Sequence, residues 1–294
     1  MRTPERTIRL GVFFTGFFAW IAWSGFEVLG VRLLSLASPR LASRLMRRMA
    51  VRWNRLVAGW ARLAAGVSID LEGEVPEGRN LIFIANHQSI IDITVLLSKL
   101  GSKNLLFVAK EQMRRGIPNI SPCARHCGYA FISRKKGDAA QLAEIERLGA
   151  RLERERASGV IFAEGTRSRD GLLGKFKAGG VEALLRSAPT ARVVPVAIDG
   201  TWRAASFAAL FRHFAGMRVR VRVGPPIEVA AGARRDREAV EALADRCRAF
   251  CASALASWRG VPEAAIMAPG GKSHEQRAPR EAGRDPRDER VRAV

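Results

Sequence analysis

Histidine and cysteine are scarce in this 294-residue chain, four of each, and acidic side chains are outnumbered 28 to 49 by lysine and arginine. The cysteines form two C-x3-C pairs, Cys123 with Cys127 and Cys247 with Cys251. Neither pair has zinc-knuckle spacing, although His126 lies inside the first, so no metal site is expected and free thiols in a reducing compartment are. The shortage of acid leaves a formal charge of +21, which favours anionic partners such as nucleic acid, acidic headgroups, phosphorylated substrates or acidic carriers. No nucleic-acid motif accompanies that charge, so nucleic acid is not an expected partner. A G-x-S-x-G elbow is missing too, which removes the usual serine hydrolase. No internal repeat is present.

What the chain does have begins at the amino terminus. Between Arg9 and Arg32 runs LGVFFTGFFAWIAWSGFEVLGV, interrupted only by Glu27. A helix needs about 20 apolar residues to span hydrocarbon, and this run is long enough. Glu27 and the lack of a small-residue cleavage site argue against a signal peptide. The next segment opens on Ser38 as a possible N-cap and Pro39 as first helical residue. At about 100° per residue, Arg40, Arg44, Arg47, Arg48, Arg52, Arg55 and Arg62 fall on one side, and Leu41, Leu45, Met49, Trp53, Leu56, Trp60 and Leu63 on the other. Such a helix suits the plane of an anionic membrane; a surface helix packed on a core is the rival. Residues 1–66 are thus read as membrane-embedded and interfacial helices. Arginines flank the apolar run on both ends and are denser after it, so the rest of the chain is expected on the cytoplasmic face.

From about Val67 the pattern changes. Short apolar runs at 80–85, 104–109, 128–133, 159–164 and 191–198 suit buried strands, and 217–224 alternates strictly, as a half-exposed strand does. Helical stretches are expected at 138–157, 178–187 and 235–257. The fold class is therefore α/β: a mixed, largely parallel sheet flanked by helices, preceded by an amino-terminal membrane-associated helical pair. The domain is placed at 67–260, and 261–294, which from Pro269 onward has almost no apolar residues, is read as a disordered tail.

In such sheets ligands gather at the carboxyl ends of strands. The first of these ends carries Asn86-His87-Gln88-Ser89-Ile90-Ile91-Asp92. Ser89 and Asp92 have the S-x-x-D spacing of a helix capping pair. Alternatively Asp92 holds the imidazole of His87, fixing its tautomer and leaving the other nitrogen as a base. On an ideal helix, positions five apart diverge by about 140°, so the two can meet only if His87 precedes the helix. The second end carries FISRKKGDA, with Arg134 just past the strand. The third carries Glu164-Gly165-Thr166-Arg167-Ser168, where a glycine lets backbone approach a ligand and a hydroxyl and a planar cation suit a phosphate. Asp170-Gly171 reads as a turn. Lys175 and Lys177 add charge. The fourth signal is VPVAI, whose Pro195 implies a bulge or a strand edge.

Taken in order, NHQSIID, GYAFISR, FAEGTRS and VPVAI resemble the four blocks of the glycerolipid acyltransferases, the 1-acylglycerol-3-phosphate acyltransferases of phosphatidic acid synthesis. Lys110-Glu111 in VAKEQM resembles that family's lysine-containing stretch. The resemblance covers roughly residues 65–230, and Ala163 stands where the family usually has proline, which puts the rigidity of the third loop in question. It implies O-acyl transfer from a thioester, acyl-ACP or acyl-CoA, to the free hydroxyl of lysophosphatidic acid. His87 would be the base and Asp92 its orienter, and Arg134, Glu164, Gly165, Thr166, Arg167 and Lys110 would bind substrate. No cofactor and no metal are implied. Anionic membrane lipids would be partners at the inner, cytoplasmic membrane. Ser89, two residues from His87, ranks low as a nucleophile because the acceptor hydroxyl can attack directly. Two rivals remain: acylation of another lyso-lipid such as lyso-ornithine lipid, and a non-enzymatic basic membrane adaptor.

Overall fold

The computed structural model describes residues 3–133 and 139–268. Two long helices come first, α1 (Thr3–Ala37) and α2 (Pro39–Ala65). Ser38 stands at the N-cap of α2 without a side-chain bond, and Gly66 ends the helix at φ 67°, its N–H returned to the Arg62 carbonyl and that of Val67 to the Ala61 carbonyl. The left-handed cap is what stops α2, since glycine adopts it without strain.

Glu27, the single charge in the apolar run, is satisfied within the helix pair. Trp53 Nε1 donates to its carboxylate at 2.6 Å, and Arg52 forms an ion pair with it. Trp60 Nε1 donates to the carbonyl of Phe13 at 3.0 Å, and Trp20 meets Trp53 edge to face. One face of α1 is thus committed to α2, burying Phe13, Val28 and Val31. The other face leaves Ile8, Val12, Phe18, Trp23, Phe26, Leu29, Leu33 and Leu36 exposed along its whole length.

α2 has three sectors rather than the expected two. The buried one is Ala42, Met46, Ala50, Trp53, Ala61 and Ala65; its four alanines let neighbouring elements approach closely, while Met46 and Trp53 fill the space between them. Leu41, Leu56 and Leu63, on the apolar face that the sequence offers to a membrane, remain exposed. They lie between the buried sector and the arginines, because α2 is gripped by α1 on one flank and by the globular domain on another.

The domain begins with β1 (Ser68–Glu72), a strand that the apolar runs did not reveal, and continues through β2 (Leu81–Ala85), α3 (Ile91–Leu100), β3 (Leu105–Lys110), α4 (Ile120–Cys127), β4 (Ala130–Ile132), α5 (Ala139–Glu155), β5 (Ser158–Phe162), α6 (Ala178–Ser187), β6 (Arg192–Asp199), α7 (Phe207–His213), β7 (Arg218–Val223), α8 (Arg237–Arg259) and α9 (Glu263–Ile266). The sheet order is β1-β7-β6-β2-β5-β3-β4, parallel throughout except where β6 meets β7. The expected mixed, largely parallel sheet is borne out. β2 is buried at every position, as a central parallel strand must be, whereas β7 alternates exposed or half-buried arginine with buried valine.

Alternation divides the core. Ile82, Ile84, Leu106 and Val193 face α5, α6 and α8. Leu81, Phe83, Phe107 and Val196 face α3 and the helix pair. Of the bulge or strand edge that Pro195 implies, a bulge is present, with its extra residue on the segment opposite. Val193 pairs with Ile227 and Val196 with Val223, so three residues, 224–226, oppose two. Gly224 donates to the Pro195 carbonyl at 2.9 Å, on the side where the proline ring has no N–H to offer.

At the carboxyl end, residues 261–268 belong with the domain and not with a tail beginning at 261. Ile266 is buried, and Met267 bridges Leu173 because the 173 loop needs a backbone partner. The remainder of the tail lies outside the described residues.

Candidate active site

His87 sits two residues past the end of β2, in the turn before α3, which is the position that lets it meet Asp92. Its Nδ1 lies 2.8 Å from Asp92 Oδ2. The same oxygen accepts the backbone N–H of Gln88 at 2.7 Å and of Ser89 at 3.0 Å. Thr201 Oγ1 donates to Asp92 Oδ1 at 2.5 Å. Asp92 therefore does both jobs between which the spacing could not decide: it ties the turn that opens α3, and it fixes the imidazole. A carboxylate on Nδ1 requires the proton there, which leaves Nε2 with the lone pair of a base. With Asp92 fully buried, these donors compensate for the lost hydration of its charge.

The ring of His87 stacks on Phe162, the last residue of β5, with centroids 3.9 Å apart. The residue is 7% exposed, so the imidazole is largely shielded from solvent. The two other histidines among the described residues lack this setting: burial and neighbouring arginines push His126 and His213 below their ordinary range. The four cysteines are buried in the core; burial lifts the Cys247 thiol to about 12, and Cys251 donates to the Val196 carbonyl. Protonated thiols of that kind are inert packing groups.

The loop after β5 is built against the histidine. Ser168 N–H donates to the His87 carbonyl at 2.8 Å. Glu164, 3% exposed, accepts the backbone N–H of His87 at 2.9 Å on one oxygen and that of Gly174 at 2.9 Å on the other. A side chain at Gly174 would press on Glu164 Oε2 at 3.0 Å. Gly165 turns the chain at φ 71° and leaves room for Lys177, whose Nζ is 2.9 Å from where a Cβ would stand. Thr166 is buried and Arg167 half-buried in this loop. Ala163 answers the question raised by the missing proline. Its N–H donates to the Ala85 carbonyl at 3.1 Å, a bond proline could not make, and this joins β5 to β2 directly under the site.

Lys110 closes β3 at the same edge. Arg134 lies outside the described residues. Ser89 is fully buried and its hydroxyl donates to the Ala204 carbonyl at 3.2 Å, an arrangement suited to holding the loop rather than attacking a substrate.

Several contributors went unnoticed in the sequence. Asn86 pairs through its side chain with both backbone groups of Ile198, extending the β2–β6 contact by one step. Gln88 joins Thr201 and Trp202 to Asp199, and Arg259 at the end of α8 closes on Asp199. The signal for Thr201 was available: Asp199-Gly200-Thr201 follows β6 at its carboxyl end, the same place that drew attention to His87.

Residues 67–199 match the family model Acyltransferase. The 1-acyl-sn-glycerol-3-phosphate acyltransferase of Borreliella burgdorferi is 28% identical over 167 residues, 56% of this chain and 64% of that one. The chloroplastic 1-acyl-sn-glycerol-3-phosphate acyltransferase LPAT1 of Arabidopsis thaliana is 34% identical over 120 residues, 41% of this chain and 32% of that one. The matched segment thus spans less than two thirds of the length of these curated relatives. In structure, the 1-acyl-sn-glycerophosphate (LPA) acyltransferase PlsC from Thermotoga maritima superimposes with a TM-score of 0.59 at 23% identity, over 85% of this chain and 97% of that one, which establishes a shared fold. The resemblance carried by the four sequence blocks is borne out: all four lie within the residues that match the Acyltransferase family model.

Proposed function

We propose that this chain transfers a fatty acyl group from a thioester to the free hydroxyl of 1-acylglycerol-3-phosphate, giving phosphatidic acid. The observation that carries the reading is the 2.8 Å contact of His87 Nδ1 with a buried, multiply bonded Asp92 at the carboxyl edge of a parallel sheet. The matched relatives bear the name of this activity.

A thioester is already activated, so the protein must deprotonate an alcohol and place it. His87 Nε2 takes the proton as the alcohol oxygen attacks the thioester carbonyl. The tetrahedral oxyanion then collapses, the C–S bond breaks, and the imidazolium returns its proton to the departing thiolate. Asp92 stabilises the imidazolium without taking its proton. Thr166, Arg167, Gly165 and Lys110 stand at the same edge and serve the acceptor phosphate and the donor, with Arg134 assigned to the same task from its motif. Glu164 acts as a positioning residue, holding the His87 and Gly174 backbones together. Acyl-ACP and acyl-CoA are both anionic and both suit the charge of the chain.

α1 lies in the cytoplasmic leaflet with its exposed face in hydrocarbon. Support comes from the exposed apolar stripe from Ile8 to Leu36 and from the packing of the opposite face on α2. Anionic lipids meet the arginines of α2.

The test is to incubate the purified chain with labelled acyl thioester and a panel of lyso-lipids. Product with lysophosphatidic acid supports the reading. Product only with lyso-ornithine lipid reassigns the acceptor, and no product with any acceptor rejects the reaction.

A further inference from the structure

The opposite edge of the sheet holds a second polar feature. A groove of about 1540 Å³ opens between α2 and the amino ends of β2, β3 and β5, lined by eleven arginines and one acid, Glu155. A five-residue strand separates it from the His87 edge, about 17 Å, so it is not an extension of the reaction site. Part of its charge has structural work. Arg47 donates to the Cys127 carbonyl at the end of α4 and pairs with Glu155, and Arg55 donates to the Ser98 carbonyl in α3. Arg40, Arg44 and Arg48 on the α2 wall, and Arg79 and Arg156 on the domain wall, are exposed and have no carboxylate partner among the described residues.

The geometry around α2 selects the partner. Going round that helix, the sector packed on α1 is followed by the exposed Leu41, Leu56 and Leu63, then by the arginines, then by the groove and the domain. The leucines continue the apolar stripe of α1. Cations that follow them within one helix diameter sit at headgroup depth, since the polar layer adjoins hydrocarbon directly. The exposed leucines beside the arginines favour a lipid surface over an acidic carrier, which has no need of an apolar neighbour. We infer that this groove binds the phosphate headgroups of anionic phospholipids and thereby seats the end of the molecule opposite the active site on the bilayer. The inference rests on the proposal that α1 lies in the membrane, and it assigns the domain-side arginines a part in that contact.

The full chain is mixed with vesicles of phosphatidylcholine, with and without phosphatidylglycerol, and its partition is measured by sedimentation. R79E/R156E is expected to lower partition onto the phosphatidylglycerol vesicles about tenfold or more, to leave partition onto pure phosphatidylcholine unchanged, and to leave transfer to dispersed short-chain lysophosphatidic acid unchanged. R79K/R156K is expected to retain anionic binding. Unchanged partition of the charge-reversed variant overturns the inference, as does an equal loss in the lysine variant. Capture of an acidic protein with no change in vesicle partition overturns it in favour of a protein partner. Partition is read without catalysis, so a chain that binds vesicles but makes no product counts against the proposed reaction and leaves the groove standing.

Discussion

At the carboxyl edge of the sheet the polar side chains are few, buried and matched one to another; at the amino edge they are numerous, alike in sign and largely exposed. Asp92 has donors on both oxygens, and Glu164 spans two backbone segments. In the groove, eleven arginines surround one glutamate. Chemistry on a single proton needs a group held within a few tenths of an ångström, which only a dry, fully bonded shell provides. Adhesion to a charged sheet of lipid needs charge density, which tolerates motion and even requires hydration. The same sheet carries both kinds of surface because its two edges are separate.

That contrast is open to direct attack, and removal of His87 is the sharpest blow. H87A is expected to lower acyl transfer by about 10³-fold while vesicle partition and thermal unfolding stay close to those of the unaltered chain. Substantial residual turnover would reject His87 as the base. D92N keeps the shape but loses the charge that holds the imidazole, and a fall in kcat of about 100-fold or more is expected.

Thr201 tests whether the bonded shell matters beyond the pair itself. T201V leaves one oxygen of a buried carboxylate without its donor, which costs about 1–3 kcal/mol of stability. kcat is expected to fall about tenfold with little change in KM, and the pH profile of kcat/KM to move, whereas T201S restores both. A normal profile in T201V would make Thr201 a packing residue only. R167A probes the phosphate role and is expected to raise the acceptor KM by about tenfold, equivalent to one lost charge-assisted bond. An unchanged KM would remove Arg167 from the acceptor site.

The smallest effect belongs to neither edge and serves as a reference. Burial pushes the pKa of Glu72 up, but hydrogen bonds from Arg222 and Trp258 and the charges of Arg222 and Arg220 outweigh it and hold the carboxyl below its ordinary value. A depressed carboxylate stabilises the fold above its ordinary pKa of 4.5 and loses that contribution as pH falls through the lowered value. Glu72 is half-exposed, so screening limits the contribution to at most about 1 kcal/mol. E72Q is expected to narrow the difference in melting temperature between neutral and acid pH by a degree or so, about what such an energy allows.

Much of this was readable before any coordinates. The apolar runs that became β2, β3 and β5 were visible because a strand buried on both faces needs apolar residues throughout. The three helices at 138–157, 178–187 and 235–257 emerged within two residues of α5, α6 and α8. β1 escaped because Ser68–Glu72 lies at the sheet edge, half-exposed, and has no continuous apolar run. Gly128 and Tyr129 were placed in a strand but end α4 instead, where a left-handed glycine at φ 83° caps the helix. On α2, periodicity separated arginine from leucine but could not say which apolar sector would be covered. The sector of four alanines with Met46 and Trp53 was covered, because α1 and the domain close on it from two flanks.

The sequence by itself determined the class of fold, the residue types at each strand end, and the opposition of arginine and apolar faces along α2. These depend on local periodicity and on the rule that ligands meet parallel sheets at their carboxyl edges. Only the tertiary structure decided that Asp92 both caps and orients, that Thr201 completes its bonding from 109 residues away, that Glu164 braces backbone, and that arginines from α2 and from the domain close into one groove. Such facts depend on which distant segments the chain brings together, and a hydrogen bond or a concentration of charge arises from separation in space, to which separation along the chain is no guide.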